Sequence, residues 1–157
     1  IFNEYLIENV DDVYVTFETI NNRGKSLSKL ELLKNRLIYL STLYSTLAGD
    51  DTTQQENVKT LRLNINNSWK TIYEYLGKSA KRTLKDDDFL RDHWIMYFRY
   101  DRSASNVFEK DLLSGHFTAK KVLSRELSIQ FVDRYVRSLQ ESIIVWLYKY
   151  TRRKYAR

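Results

Sequence analysis

Apolar residues recur along most of this chain at three- and four-residue intervals, the spacing that gathers side chains onto one face of an α-helix. The clearest stripe is Leu30, Leu33, Leu37, Leu40 and Tyr44, which predicts a helix from about Lys29 to about Thr46. Its start is marked locally. Ser28 followed by Glu31 reads as a capping box, in which the hydroxyl accepts from a first-turn N–H and the carboxylate reaches back to the cap's own N–H. Leu27 and Leu32 stand where a hydrophobic staple would pack. After the polar loop from Gly49 to Thr53, a stripe of Val58, Leu61, Ile65, Trp69, Ile72 and Leu76 predicts a helix from about Gln55 to about Leu76. Residues 77–85 read as a basic loop. Asp86, Asp87 and Asp88 open a further helix, because carboxylates suit the positive end of the helix dipole; Leu90, Trp94, Tyr97 and Phe98 would face its core side. A shorter helix is expected near Asn106 to Leu113. The last long one runs from about Ser128 to about Thr151, with Phe131, Tyr135, Leu139, Ile143 and Leu147 at four-residue steps and Val132 and Val136 beside them.

The first twenty residues are less decided. Residues 1–9 alternate weakly, as a short strand or a lead-in coil. From Asp11 onward Val13, Val15 and Phe17 alternate as in a strand, whereas Val10, Val13, Phe17 and Ile20 fit a helical face. Asp11 and Asp12 suit a helix start, and the Asn21-Asn22-Arg23-Gly24 turn suits a helix end, so helix is preferred. The expected architecture is all-α: an irregular bundle of five or six helices, with a short N-terminal strand as its only departure. Residues 1–157 would form one helical domain, with 1–48 a helix–loop–helix and 49–157 the rest of the bundle.

Composition agrees with this pattern. Hydrophobic content of 43% and charged content of 29% are globular values, and the chain has no proline and only four glycines. Few breakers over this length favour long helices over a many-stranded sandwich. The absence of cysteine excludes a disulfide framework and fits a reducing, cytoplasmic setting. The longest pure apolar run, Ile143 to Tyr148, is far short of the roughly 20 residues of a membrane span, so no membrane partner is expected. The chain opens at Ile1 without an initiator methionine, which makes it expected to be a piece of a longer protein.

The net charge of +6 is unevenly distributed. Residues 1–48 sum to −1, residues 49–128 to +2, and residues 129–157 to +5. A basic C-terminal end can attract a polyanion such as DNA, and Lys149, Arg153 and Arg157 would share one face of a continued helix. The blander account is a solvated helix end.

Complete catalytic constellations are absent from the pattern. Gly24-Lys25-Ser26 resembles the end of a phosphate-binding loop, but Thr19 stands where the loop's first glycine should be, and the helix begins only after Ser28. Asp86-Asp87-Asp88 is explained by helix capping without a metal, and His93 and His116 are too far apart for a local metal pair. Asp92-His93 looks like the start of some nuclease histidine motifs, with nothing like the remainder behind it. The many aromatic residues fall mostly on the helical stripes, so core packing accounts for them better than base stacking does. The chemically pointed segment is the loop before the capped helix. Asn21, Asn22, Arg23 and Lys25 set two amides and two cations around Gly24, where the backbone can approach a ligand closely. Lys34 and Asn35 follow in the next helix. The competing reading is that Asn and Gly simply make the turn.

Residues Phe17 to Asn35, FETINNRGKSLSKLELLKN, resemble a family signature. The pattern F-E-x-x-N-x-R-G-x-x-L-s-x-x-[ED]-L-x-K-N is similar to that of the N-terminal domain of GmrSD-type, modification-dependent type IV restriction endonucleases. It matches at Phe17, Glu18, Asn21, Arg23, Gly24, Leu27, Ser28, Glu31, Leu32, Lys34 and Asn35. The later stretches DDDFLRDHWIMYFRY and FEKDLLSGHFTAKKV resemble the helical portion of that family more loosely. The resemblance implies a protein that hydrolyses a nucleoside triphosphate with Mg and restricts modified phage DNA. It also implies an upstream catalytic part bearing an Asp-Gly-Gln-Gln-Arg motif, and often a downstream nuclease domain of the HNH type. Neither motif occurs in this chain, which would contribute only the helical part and catalyse nothing alone. By the same resemblance, Asn21, Arg23, Gly24, Lys34 and Asn35 face the nucleotide or the catalytic part, with Arg23 and Lys34 on phosphate. The alternative is a non-enzymatic helical module that binds DNA or another protein.

Overall fold

The computed structural model describes residues 27–77, 86–101, 103 and 107–155; for residues 150, 151 and 153–155 it describes the backbone alone. All regular structure among these residues is helical. Four long helices carry the fold: α1 (Lys29–Ala48), α2 (Thr52–Gly77), α3 (Asp86–Phe98) and α6 (Ile129–Tyr155). Between α3 and α6 lie a single turn, α4 (Phe108–Lys110), which runs directly into a π-helical segment (Asp111–His116), and the short α5 (Ala119–Leu123). The undecided strand or helix before Ile20 and the basic stretch 78–85 fall outside the described residues.

The core follows the apolar stripes. Leu30, Leu33, Leu37 and Leu40 of α1 meet Leu61, Ile65, Trp69 and Ile72 of α2, and Val132, Tyr135, Val136, Leu139 and Ile143 of α6 close the group; all are buried in one cluster. The inward face of α6 is thus centred on Val132, Val136 and Leu139, with Phe131 and Leu147 half-buried at its edges. Phe89, Leu90 and Trp94 bring α3 onto the same core.

Polar bonds fix the register between helices. Trp69 Nε1 donates to the Leu30 carbonyl at 3.0 Å. The fully buried Ser68 donates to the Val136 carbonyl at 3.1 Å, and Asn64 donates to Asp133 at 2.7 Å. Small serines let α2 and α6 approach closely while their hydroxyls stay satisfied, as buried polar groups must. Helix ends are equally well defined. Thr118 Oγ1 accepts from Lys121 N at 3.2 Å to cap α5. Gly49, Arg99 and Arg125 take positive φ values of 55°, 57° and 64° just beyond α1, α3 and α5, which breaks the run of helical dihedrals at each of these ends.

The predicted helix near Asn106 to Leu113 is displaced and partly of another kind. Regular α-helix covers only Phe108–Lys110, after which the chain widens into the π-helical turn. Trp94 and Arg36 hold that turn through side-chain bonds from distant parts of the chain, which three- and four-residue periodicity cannot report.

Candidate functional site

Asn21, Arg23 and Gly24 lie outside the described residues, which begin at Leu27, just before α1. Ser28 Oγ accepts from Glu31 N at 3.2 Å, so half of the capping box is present. The other half is replaced: the Glu31 carboxylate accepts from the Tyr73 hydroxyl instead of returning to the cap. Burial, and then that carboxylate, push the Tyr73 pKa far up. A further acceptor comes from α3, where Asp87 Oδ1 takes the Lys29 N–H at 2.9 Å. The Lys29 ammonium in turn lies 3.4 Å from Glu109 and 4.8 Å from the Phe108 ring centroid.

Two of the first-turn donors of this helix end, the Lys29 and Glu31 amides, are therefore already occupied by the chain's own oxygens. Asp86, Asp87 and Asp88 also make the neighbourhood acidic. Lys34 is half-buried on the flank of α1, and Asn35 is exposed opposite its core face. Neither position is explained by packing. Their neighbours Leu33, Arg36 and Leu37 all are.

A second polar cluster joins the end of α3 to the π-helical turn. Asp111 Oδ2 accepts from Trp94 Nε1 at 2.9 Å and lies 2.9 Å from His116 Nε2, while the Tyr100 hydroxyl sits 3.2 Å from the same nitrogen. The Phe98 ring stacks on His116 with centroids 4.0 Å apart. A side chain at Gly115 would press against the Asp111 carboxylate, its Cβ falling 3.2 Å from Oδ1. Carboxylate, imidazole and phenol are thus brought together, but burial and the Asp111 charge push the Tyr100 pKa up, away from a nucleophilic phenolate. The arrangement suits a lock on the turn better than a reacting group.

The third feature is a groove of about 500 Å³ between α3 and α6, walled by Phe89, Ile95, Met96, Val145 and Trp146. His93 stands in its lining. It is buried, its Nε2 lies 3.0 Å from Ser138 Oγ, and its Nδ1 has no partner among the described residues. Desolvation lowers its pKa to about 3, so the ring is neutral. His93 lies on the core side of α3, stacked against Tyr97 and edged by Tyr135. Trp146 Nε1 donates to Asp92 at 2.9 Å across the groove.

Lys149, expected as part of a basic face with Arg153 and Arg157, is exposed on the rim of this groove. Asp92 and Glu141 also line the groove, so the lining around Lys149 is of mixed charge. The Arg153 side chain and Arg157 lie outside the description.

Sequence reading passes over Arg36. It is 2% exposed and donates from Nη1 to the carbonyls of Leu113 and Phe117 at 2.5 and 3.0 Å. Its position between Leu33 and Leu37 on the apolar face was the available signal. No group of three or more His, Cys, Asp or Glu residues that could hold a metal ion occurs among the described residues, and none of their helices is long and apolar enough to cross a membrane. No family model, curated protein or solved structure matches the chain.

Proposed function

We propose that this chain is the helical part of a nucleoside-triphosphate-hydrolysing, modification-dependent DNA-restriction protein of the GmrSD type. In this role it lends phosphate- or partner-contacting residues to a site completed by an upstream catalytic part. The observation that carries this is the Phe17–Asn35 signature, in which Asn21, Arg23 and Gly24 stand just before the capped helix and Lys34 and Asn35 within it. The geometry of α1 supports the division of labour within it. Ser28 and Glu31 have structural work as cap and as acceptor for Tyr73. Lys34 and Asn35 sit off the core, available to a ligand or a neighbouring domain.

The acidic surroundings of the α1 start give the loop cations a specific task. Arg23 and Lys34 must outweigh Asp86, Asp87 and Asp88 for a phosphate to settle nearby. A bidentate guanidinium suits that task better than a single ammonium. In the complete protein a triphosphate would arrive with Mg, and both would be held chiefly by the upstream part. The coding sequence offers the first test: an Asp-Gly-Gln-Gln-Arg segment upstream of Ile1 is expected, and its absence would count against the assignment. The second is triphosphate hydrolysis by the full-length protein.

A further inference from the structure

The outward face of α6 changes character along its length. Gln130, Arg134 and Arg137 are exposed polar residues on its first turns, as befits the solvent side of an amphipathic helix. From Glu141 onward the same side carries Ile144, Val145 and Tyr148, which are 49%, 53% and 59% exposed. Met96 of α3, 56% exposed, lies across the groove from Val145. From Ile143 to Tyr148 every residue is apolar or aromatic, so this part of α6 is hydrophobic all round. Such a helix is ordinarily covered on all sides.

The order of residues along this strip specifies what covers it. Glu141, Val145, Tyr148 and Arg152 follow one another at spacings of four, three and four, the seam of a helix pair. The two middle positions are apolar, one end is acidic and the other is basic. Laid antiparallel on a second copy, Val145 meets the partner's Tyr148, and Glu141 meets the partner's Arg152. The two-fold axis repeats both contacts. Within one chain Glu141 and Arg152 are about 16 Å apart along the axis, so they cannot pair with each other. The Arg152 guanidinium lies 5.5 Å from the Tyr148 ring centroid in the single copy, placed to follow that ring into the seam.

We infer that the C-terminal half of α6 pairs antiparallel with the same segment of a second copy of this chain, through the Glu141–Val145–Tyr148–Arg152 strip. The groove between α3 and α6 then receives the partner's Tyr148 beside Val145, with Met96 as its outer wall. This pairing is independent of the nucleotide-hydrolysis proposal and holds whether or not that proposal does. A seam this short belongs to the small class of interfaces, so the dimer is weak and forms as concentration rises.

Sedimentation equilibrium of the full chain over a wide concentration range tests it. The wild type is expected to pass from monomer to dimer. Glu141→Arg and Arg152→Glu should each weaken the dimer by about tenfold or more, since each replaces two attractions with two repulsions. The double variant Glu141→Arg/Arg152→Glu should recover most of the wild-type association. Because those side chains cannot meet within one chain, recovery reads the intermolecular contact alone. Circular dichroism identifies any variant that fails to fold, and the exposed Val145→Arg serves as a second dissociating variant. A wild type that stays monomeric throughout would overturn the inference and leave the strip to a different protein. A double variant no better than its parents would overturn the antiparallel register.

Discussion

Arg36 and Phe117 stand far apart in the chain, yet the Arg36 guanidinium donates a 3.0 Å hydrogen bond to the Phe117 carbonyl inside the core. The same nitrogen reaches the Leu113 carbonyl at 2.5 Å. A π-helical turn leaves its final carbonyls short of regular partners, and a buried cation from α1 supplies them. Charge-assisted bonds of this kind contribute about 1.5–3 kcal/mol each. Arg36→Met keeps the apolar stem and removes both, and should lower unfolding free energy by about 3 kcal/mol in urea denaturation. Arg36→Lys should recover less than half, because both bonds come from the terminal Nη1 and the lysine ammonium ends one bond short of that position.

His93 makes stability depend on pH. Its folded-state pKa is lowered from 6.5 to about 3 by burial. Between those values the unfolded chain takes up a proton that the folded chain refuses. The stability carried by neutral His93 is therefore complete above about pH 6.5 and is lost as pH falls toward 3, at a limiting slope of about 1.4 kcal/mol per pH unit. Between pH 7 and pH 5 the wild type should lose about 2 kcal/mol more than His93→Gln does, as read by urea melts at the two pH values. Equal losses in the two proteins would show that His93 is protonated in the folded state.

Two tyrosines, the half-buried Tyr44 and the fully buried Tyr135, should respond oppositely to removal of the hydroxyl. The Tyr44 hydroxyl donates to the Leu127 carbonyl at 2.6 Å, tying α1 to the segment before α6. Tyr44→Phe should cost about 1 kcal/mol. The Tyr135 hydroxyl is buried without a hydrogen-bond partner among the described residues, so Tyr135→Phe should be neutral or stabilising by up to about 1 kcal/mol. Thermal melts of both variants separate the two cases.

Tyr44, Tyr73 and Tyr135 should also stay protonated past the ordinary tyrosine range, since burial raises all three pKa values. Their contribution to stability is present below about pH 10 and is lost as pH rises further, because the unfolded chain then releases protons that the folded chain keeps. In a spectroscopic alkaline titration their phenolate absorbance should appear only with global unfolding. Each Tyr→Phe variant should remove amplitude from that late step.

The long helices were legible because their stripes have one cause. Leu30, Leu33, Leu37 and Leu40 recur at helical spacing because one face meets one core, and Ser28 marks the start by accepting a first-turn N–H. The last two residues of α1, Leu47 and Ala48, and the first three of α2, Thr52 to Gln54, lie outside the buried stripes and escaped. Partners chosen in three dimensions left no local trace. Nothing around Glu31 announces Tyr73, nothing around Asp87 announces the Lys29 amide, and nothing around Asp111 announces Trp94. Of the capped helix start, the Ser28 cap was legible in the sequence. The acidic setting of the α1 start was not, because it is built by α3 folding back onto α1.

The proposed function rests most directly on Arg23. The most direct measurement is nucleoside-triphosphate hydrolysis by the full-length protein, comparing wild type with Arg23→Ala and with Asn35→Ala. A charge-assisted phosphate contact is expected to be worth about 2–4 kcal/mol in the transition state, so turnover by Arg23→Ala should fall by about 30-fold or more with the melting temperature unchanged. Loss at Asn35 should be smaller but in the same direction. Wild-type turnover in a folded Arg23→Ala protein would contradict the assignment of this loop to the nucleotide.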